Sequence, residues 1–303
     1  MNYHDLKKDI FYLRKAFFEY HHGVKYIYNR YYFSHKILSL NRILEKAVNY
    51  PDLSIHVLVG KRDSVMMLWS LASFYEAVQR YGQLYIHSDG TLTERARGWI
   101  KRLFPSAIII EPLEFIKHYG NTLRQYPVIE AFRTRFPQYF LLKKLIDPYF
   151  ISPASCRLVI DSDLIWLARP QALNDCLDNG CKNSFMTANL TPTAFYFQNN
   201  EVMDAGLSSY NSGIVLYRKQ NFNLSRLTEF LNKVDTSRPQ NVHFIEQAGY
   251  SYCLDNLTGL PLPAYHVKGP VTAETVVKHY TGPRRPLFYI EGIELLRRRL
   301  GIQ

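Results

Sequence analysis

Hydrophobic positions along this chain keep a helical spacing at first and then begin to alternate with short apolar runs. Over 6–18 (LKKDIFYLRKAFF) apolar residues recur at near-helical intervals in a segment rich in Tyr, Phe, Lys and Arg. A second helix is predicted over 34–48, with Ile37, Leu40, Ile43, Leu44 and Val48 on one side, and Pro51 then breaks the pattern. The next hundred residues read as strand 54–59 (SIHVLV), helix 65–78, strand 83–87, helix 93–104 capped by Thr93 or Thr91, and strand 107–110. A helical face over 131–146, partly broken by Pro137, and a strand over 157–160 follow. This alternation predicts an α/β fold, a mostly parallel sheet with helices on both faces. Beyond Asp163 come strands over 184–189 and 213–217 with long polar connections, helices over 224–234 and 241–253, then a loop and a terminal helix. The division expected is a helical N-terminal extension over 1–50 and one domain over 51–303.

Composition changes this picture in three ways. The formal net charge of +11 favours anionic partners, yet the basic residues are spread out, Arg297-Arg298-Arg299 being the nearest to a dense run. A solvated basic face comes first, contact with an anionic membrane surface second, and nucleic acid last, so no nucleic-acid partner is expected. The aromatic-basic N-terminal segment reads as structural, with docking to an anionic membrane as the alternative. Second, the start MNYHDLKKDIF lacks an apolar signal core, and no apolar run of transmembrane length occurs. A cytoplasmic protein, soluble or peripheral to the inner face of a membrane, is expected. Third, Cys156, Cys176, Cys181 and Cys253 form no CxxC pair and read as reduced thiols, with Cys176 and Cys181 in a loop region.

The chemistry centres on RLVIDSDLIWL, where Asp161 and Asp163 end a hydrophobic strand. Buried carboxylates are costly unless they are paired or hold a cation. Ligands of open α/β sheets sit beyond the carboxyl ends of parallel strands. Residues two apart in an extended chain face the same way, so both carboxylates can serve one Mg²⁺ or Mn²⁺. The plainer reading is a pair that caps a turn. Downstream, Asn211-Ser212-Gly213 opens a strand, and His279 precedes a loop with Gly282, Arg284 and Arg285. A His with two Asp makes a sensible Mn²⁺ set, and adjacent cations can hold a diphosphate. Taken singly, Lys143 and Lys144 read as a solvated helix face, Glu246 as a solvent-facing carboxylate, and Asp89-Gly90 as a tight turn.

In their order these pieces resemble retaining glycosyltransferases of the glycogenin and lipopolysaccharide galactosyl/glucosyltransferase type, often called family 8, with the nucleotide-sugar-binding, Rossmann-like GT-A fold. The matches run over about 54–290. They are a first strand and helix (LVGKRDSVMMLWSLASF), Lys144-Leu145, the DxD of Asp161-Ser162-Asp163, the NSG of Asn211-Ser212-Gly213, and His279-x-x-Gly282-x-x-Arg285-Pro286, with Arg where the family has Lys. The resemblance implies transfer of a hexose, with retention, from a nucleotide-diphosphate sugar, UDP-linked, to an acceptor hydroxyl on a cell-surface or lipid-linked saccharide. It implies Mn²⁺ (or Mg²⁺) on Asp161, Asp163 and His279. Lys144, Gly282 and Arg285 would contact the diphosphate or sugar, and Val59, Gly60 and Asp63 the base. Ser162 and Ser212 count with the donor site, and Asn211, Glu246 and Gln247 lie near the reacting sugar. Two departures stand out: Glu246-Gln247 replaces the frequent Asp-Gln, and Pro286-Leu287 the frequent Pro-Trp. The near alternative is a metal-dependent sugar nucleotidyltransferase, although GKRDS has one glycine where those enzymes carry a Gly-rich loop. A non-catalytic basic binding protein is the other.

Overall fold

The computed structural model describes residues 3–40, 48–78, 80–189 and 192–303. Helix α1 (Tyr3–Arg14) runs on through a π-turn (Lys15–Glu19), and α2 (Gly23–Tyr31) follows after a turn in which His21 has φ +55°. The helix predicted over 34–48 is instead a 3₁₀ segment, Phe33–Ser39, while Val48 already belongs to strand β1 (Val48–Val59). Phe33 and Ile37 are buried there, and the Trp69 indole N–H donates to the Ser34 carbonyl at 2.7 Å. The part of the prediction over 41–47, with Ile43 and Leu44, lies outside the described residues.

Helix α3 (Ser64–Val78) buries thirteen of its fifteen residues, which makes it a core helix rather than an amphipathic cover. Strand β2 (Arg80–Ser88), α4 (Glu94–Leu103) and β3 (Ile108–Ile110) follow the predicted order, with the Thr93 side chain capping the Ala96 N–H. Helix α5 (Pro112–Leu123) was not predicted. Its start carries Pro112 at the first helical position and a Glu114 carboxylate that accepts the Glu111 N–H at 3.4 Å. The helical face expected over 131–146 is divided into α6 (Pro127–Thr134), a 3₁₀ turn (Pro137–Tyr139) and α7 (Leu142–Ile151). Pro137 supplies no N–H to continue a helix.

Strand β4 (Cys156–Ile160), the short β5 (Leu164–Trp166), α8 (Gln171–Asp178), β6 (Ser184–Ala188) and β7 (Tyr210–Arg218) come next. Helices α9 (Leu224–Lys233) and α10 (Asn241–Cys253) precede β8 (Leu257–Leu260), β9 (Tyr265–His266) and β10 (Val277–His279). The chain then turns through α11 (Arg285–Leu287) into α12 (Ile293–Arg299). Cys176 lies within α8, not in a loop, and all four cysteines are free and buried.

The main sheet has the order β3-β2-β1-β4-β7-β6-β8, and β7 alone runs against its neighbours. A second sheet orders β5-β10-β9. Both faces of β4 and β7 are covered. Leu158, Ile160, Ile214 and Leu216 join a core with α3, whereas Val159, Val215 and Tyr217 join one with α6, α7, α9 and α10. Tyr12, Ala16, Tyr26, Phe33 and Ile37 belong to the α3 core, so the N-terminal helices pack on the same interior.

Candidate active site

Topology explains why residues far apart in the chain meet. Strand β4 ends at Ile160, which pairs with Ile214 of the reversed β7, so the start of β7 lies beside Asp161. The Asp161 N–H donates to the Gly213 carbonyl at 2.9 Å. Asp161, Ser162 and Asp163 form a turn between β4 and β5 rather than one extended stretch, so the expected same-side placement of the two carboxylates has a different cause. Antiparallel pairing of β5 with β10 sets His279 opposite Leu164, and the Tyr280 N–H donates to the Asp163 carbonyl at 2.9 Å. The second sheet therefore delivers the imidazole to the acid pair.

Each carboxylate is split between two partners. Asp161 Oδ1 accepts Lys144 Nζ at 2.7 Å, and its Oδ2 lies 3.2 Å from His279 Nε2. Asp163 Oδ2 accepts Arg285 Nε at 2.9 Å, and its Oδ1 lies 2.9 Å from the same His279 nitrogen. One oxygen of each acid is held by a fixed cation while the other points at Nε2. The ligand atoms of these three residues lie within 4.8 Å of one another.

The imidazole is oriented from behind. Asn211 Oδ1 accepts the Gly213 N–H at 2.9 Å and lies 3.1 Å from His279 Nδ1, while Asn211 Nδ2 donates to Gln247 Oε1 at 3.2 Å. Asn211 Oδ1 is thus an acceptor, so Nδ1 carries the hydrogen and Nε2 faces the acids. This is the arrangement of a metal-ligating histidine with a carbonyl behind it. A Cβ on Gly213 would stand 2.4 Å from Nδ1, so the ring needs glycine there.

Opposite charges alternate across the cluster. Lys144, wholly buried and not on a solvated face, donates to Asp161, to the Ser212 carbonyl at 2.7 Å, and to Glu246 Oε1 at 2.9 Å. Ser212 Oγ donates to Glu246 Oε2 at 2.7 Å. Glu246 is buried too, which corrects the solvent-facing reading; burial raises its pKa even with Lys144 beside it. Burial would also raise Asp161 and Asp63, but Lys144 holds the first, and Arg285 the second, below the usual carboxylate range. At His279 burial favours the neutral ring, yet Asp163 and Asp161 overcome it and push the pKa up to about 9. Arg285 is shared, with Nη1 on Asp63 Oδ2 at 2.8 Å.

These residues fit a divalent cation. Two carboxylate oxygens and an imidazole nitrogen converge where only a proton on Nε2 would otherwise hold the two acids together. Hard oxygen and nitrogen donors of this kind suit Mn²⁺ or Mg²⁺. Replacing that proton by a dication adds one positive charge, which a bound diphosphate would offset.

Of the residues singled out in the sequence, Asp63, Lys144, Asn211, Ser212, Glu246, Gln247 and Arg285 join this hydrogen-bonded cluster with the acid pair and His279. Val59, Gly60 and Ser162 sit at the same carboxyl edge. Gly282 lies in the turn before Arg285 with φ +48°, left-handed backbone that favours glycine. Sequence reading passed over Asp89 as part of a turn. It does cap one, since its Oδ1 accepts the Thr91 N–H at 2.8 Å, but its carboxylate also fills the space a Gly60 side chain would need. The available signal was its position at the end of β2, on the same edge as Asp161.

No family model matches the sequence, and no curated protein matches it. Solved structures of similar fold include mouse xyloside xylosyltransferase 1, at 14% identity and TM-score 0.48 over 77% of this chain and 97% of that one. The bifunctional glycosyltransferase WbbM is similar at 12% identity and TM-score 0.48, covering 86% of this chain and 53% of that one. The galactosyltransferase LgtC, solved with donor and acceptor sugar analogs, is similar at 12% identity and TM-score 0.47, covering 76% and 87%. At these identities a functional reading has to rest on the site's own geometry.

Proposed function

We propose that this chain is a metal-dependent glycosyltransferase. It moves a hexose, with retention, from a UDP-linked sugar to the hydroxyl of a saccharide acceptor, through a GT-A-like domain over 51–303 preceded by an N-terminal segment that carries α1 and α2. The observation that carries the reading is the convergence of Asp161 Oδ2 and Asp163 Oδ1 on His279 Nε2 at 3.2 and 2.9 Å, at the carboxyl edge of the sheet.

Asp161, Asp163 and His279 would hold the cation, which, when bound, supplies Lewis-acid stabilisation of a departing diphosphate. Arg285, held between Asp63 and Asp163, would bind the diphosphate oxygens as a fixed planar cation. Asn211, through His279 Nδ1, fixes the ring. Val59, Gly60 and Asp63 would border the base, with Ser162 and Gly282 nearer the phosphates. Ser212, Glu246 and Gln247 form the polar wall where the hexose would sit, and Lys144 keeps Glu246 and Asp161 in place.

The test is UDP release from a panel of UDP-sugars, with Mn²⁺ and then with chelator, in the absence of acceptor. Release from one sugar, abolished by chelator, supports the reading. Failure to bind UDP in the presence of Mn²⁺ would sink it, and pyrophosphate released from a nucleoside triphosphate and a sugar phosphate would favour a nucleotidyltransferase.

A further inference from the structure

The N-terminal hairpin buries one apolar stripe and leaves another uncovered. Tyr12, Ala16, Tyr26 and Phe33 face the core, yet Phe18 is 77% exposed, Val24 76% and Tyr32 68%. Ten of the sixteen large hydrophobic residues exposed among the described residues lie between Leu6 and Tyr32. They are ordered along the helices. Val24 and Tyr28 on α2 and Tyr32 just past its end recur every fourth residue, and the Tyr28 and Tyr32 rings stack at 6.4 Å. On α1 and its π-turn, Phe11 and Phe18 flank Arg14 and Lys15, whose ammonium lies 5.7 Å from the Phe11 ring centre. Exposed apolar residues concentrated in this way on one short hairpin mark an interaction site.

Charge chooses the occupant. Residues 1–40 hold seven Lys and Arg against three Asp and Glu, a net +4. A second copy of this chain would bring +4 against +4 across a two-fold interface. A nucleic acid would use the cations but leave Ile10 and Val24 without a role. Aromatic rings interleaved with Lys and Arg on a helical surface suit the headgroup layer of a bilayer. No helix among the described residues is long and apolar enough to cross a membrane, so the contact would be one of lying on the surface.

We propose that this hairpin docks on an anionic phospholipid surface. Phe18, Val24, Tyr28 and Tyr32 enter the headgroup region, and Arg14 and Lys25 meet lipid phosphates. The turn of the hairpin touches the candidate active site: Tyr20 donates its hydroxyl hydrogen to the Pro283 carbonyl at 3.2 Å, two residues before Arg285. Docking there sets the edge of the site against the bilayer.

The test is co-sedimentation with vesicles of phosphatidylcholine alone and of phosphatidylcholine with about a third phosphatidylglycerol, at low and high salt. Binding at least about tenfold tighter to the anionic vesicles, weakened by salt, is expected. The double substitution Phe18→Ser with Val24→Ser should weaken it by about tenfold or more, while the melting temperature stays near that of the parent. Arg14→Glu should weaken binding to anionic vesicles and leave binding to neutral ones unchanged. Equal affinity for both vesicle types would overturn the proposal, as would binding indifferent to Phe18 and Val24. So would concentration-dependent dimers lost in the same double variant without vesicle binding. The vesicle arms need no donor or metal, so they fail or succeed independently of the glycosyl-transfer reading.

Discussion

At the scale of single residues, Asn211 shows how much of the site depends on one amide. Its carbonyl oxygen receives the Gly213 N–H and the His279 Nδ1 hydrogen, and its nitrogen reaches Gln247. Asn211→Ala leaves the imidazole free to turn, with no change in the three ligand side chains. We expect Mn²⁺ affinity to fall about 10- to 100-fold, the usual cost of losing a partner behind a metal ligand. Calorimetric titration of the purified variant would check this, and affinity equal to the parent would show that the amide does not orient the ring. The acid pair and His279 were legible in the sequence because each stands in a short local pattern: two carboxylates ending a strand, and a His before a Gly-containing loop. The burial of Glu246 and Lys144 was not legible. Each looks like a surface charge in its own helix, and only the meeting of α7 and α10 turns them into a buried pair at 2.9 Å.

Among the elements, β4 and the loop before it set the position of the whole acidic turn. Arg157 is wholly buried in β4 and donates to four backbone carbonyls, those of Pro148, Ser152, Ala154 and Ser155, at 2.6 to 3.1 Å. It thereby ties the end of α7, the helix of Lys144, to the strand that leads to Asp161. Arg157→Leu leaves those carbonyls without their donor, and we expect a loss of about 3 kcal/mol or more in chemical denaturation. A loss within about 0.5 kcal/mol would mean that the loop is held by other contacts.

A second element-level device crosses the sheet from β1 to β2. The His56 ring bonds to His87 Nε2 and to Ser54 Oγ, each at 2.9 Å. Burial, with His87 beside it, holds the His56 pKa well below its ordinary 6.5. The folded protein therefore keeps this ring neutral while the unfolded chain takes up a proton, so its contribution is present above pH 6.5 and lost as pH falls below it. Thermal melting between about pH 7.5 and 5 should show a steeper decline in the parent than in His56→Asn. Equal slopes would remove His56 as the cause. Strand existence was legible here from apolar runs. The chain of side chains across it was not, because strand pairing and register lie outside the periodicity of either strand.

For the whole molecule, the alternation of strands and helices up to Asp163 was enough to predict an α/β fold with a covered, mostly parallel sheet. Two features that build the site were hidden. One is the reversal of β7, which brings Asn211, Ser212 and Gly213 beside Asp161. The other is the small β5-β10-β9 sheet, whose strands of two or three residues are too short to show a period. Together they draw three separate stretches of chain, 161–163, 211–213 and 279–285, onto one edge, where fixed cations hold the outer oxygens of two carboxylates and leave the inner ones to the shared His279 nitrogen. That arrangement leaves two neighbouring acids with paired outer oxygens and converging inner ones, the geometry on which the proposed cation site rests.

The most direct test of this account is Mn²⁺ binding followed by the loss of the free-ion electron paramagnetic resonance signal, with and without UDP, in the parent and in Asp163→Asn. One bound ion per chain is predicted, tightened by UDP and weakened about 100-fold or more in the variant, which loses a charged ligand but keeps its shape. Mn²⁺ and UDP binding unchanged in Asp163→Asn would contradict it, and would return the acid pair to the role of a turn cap.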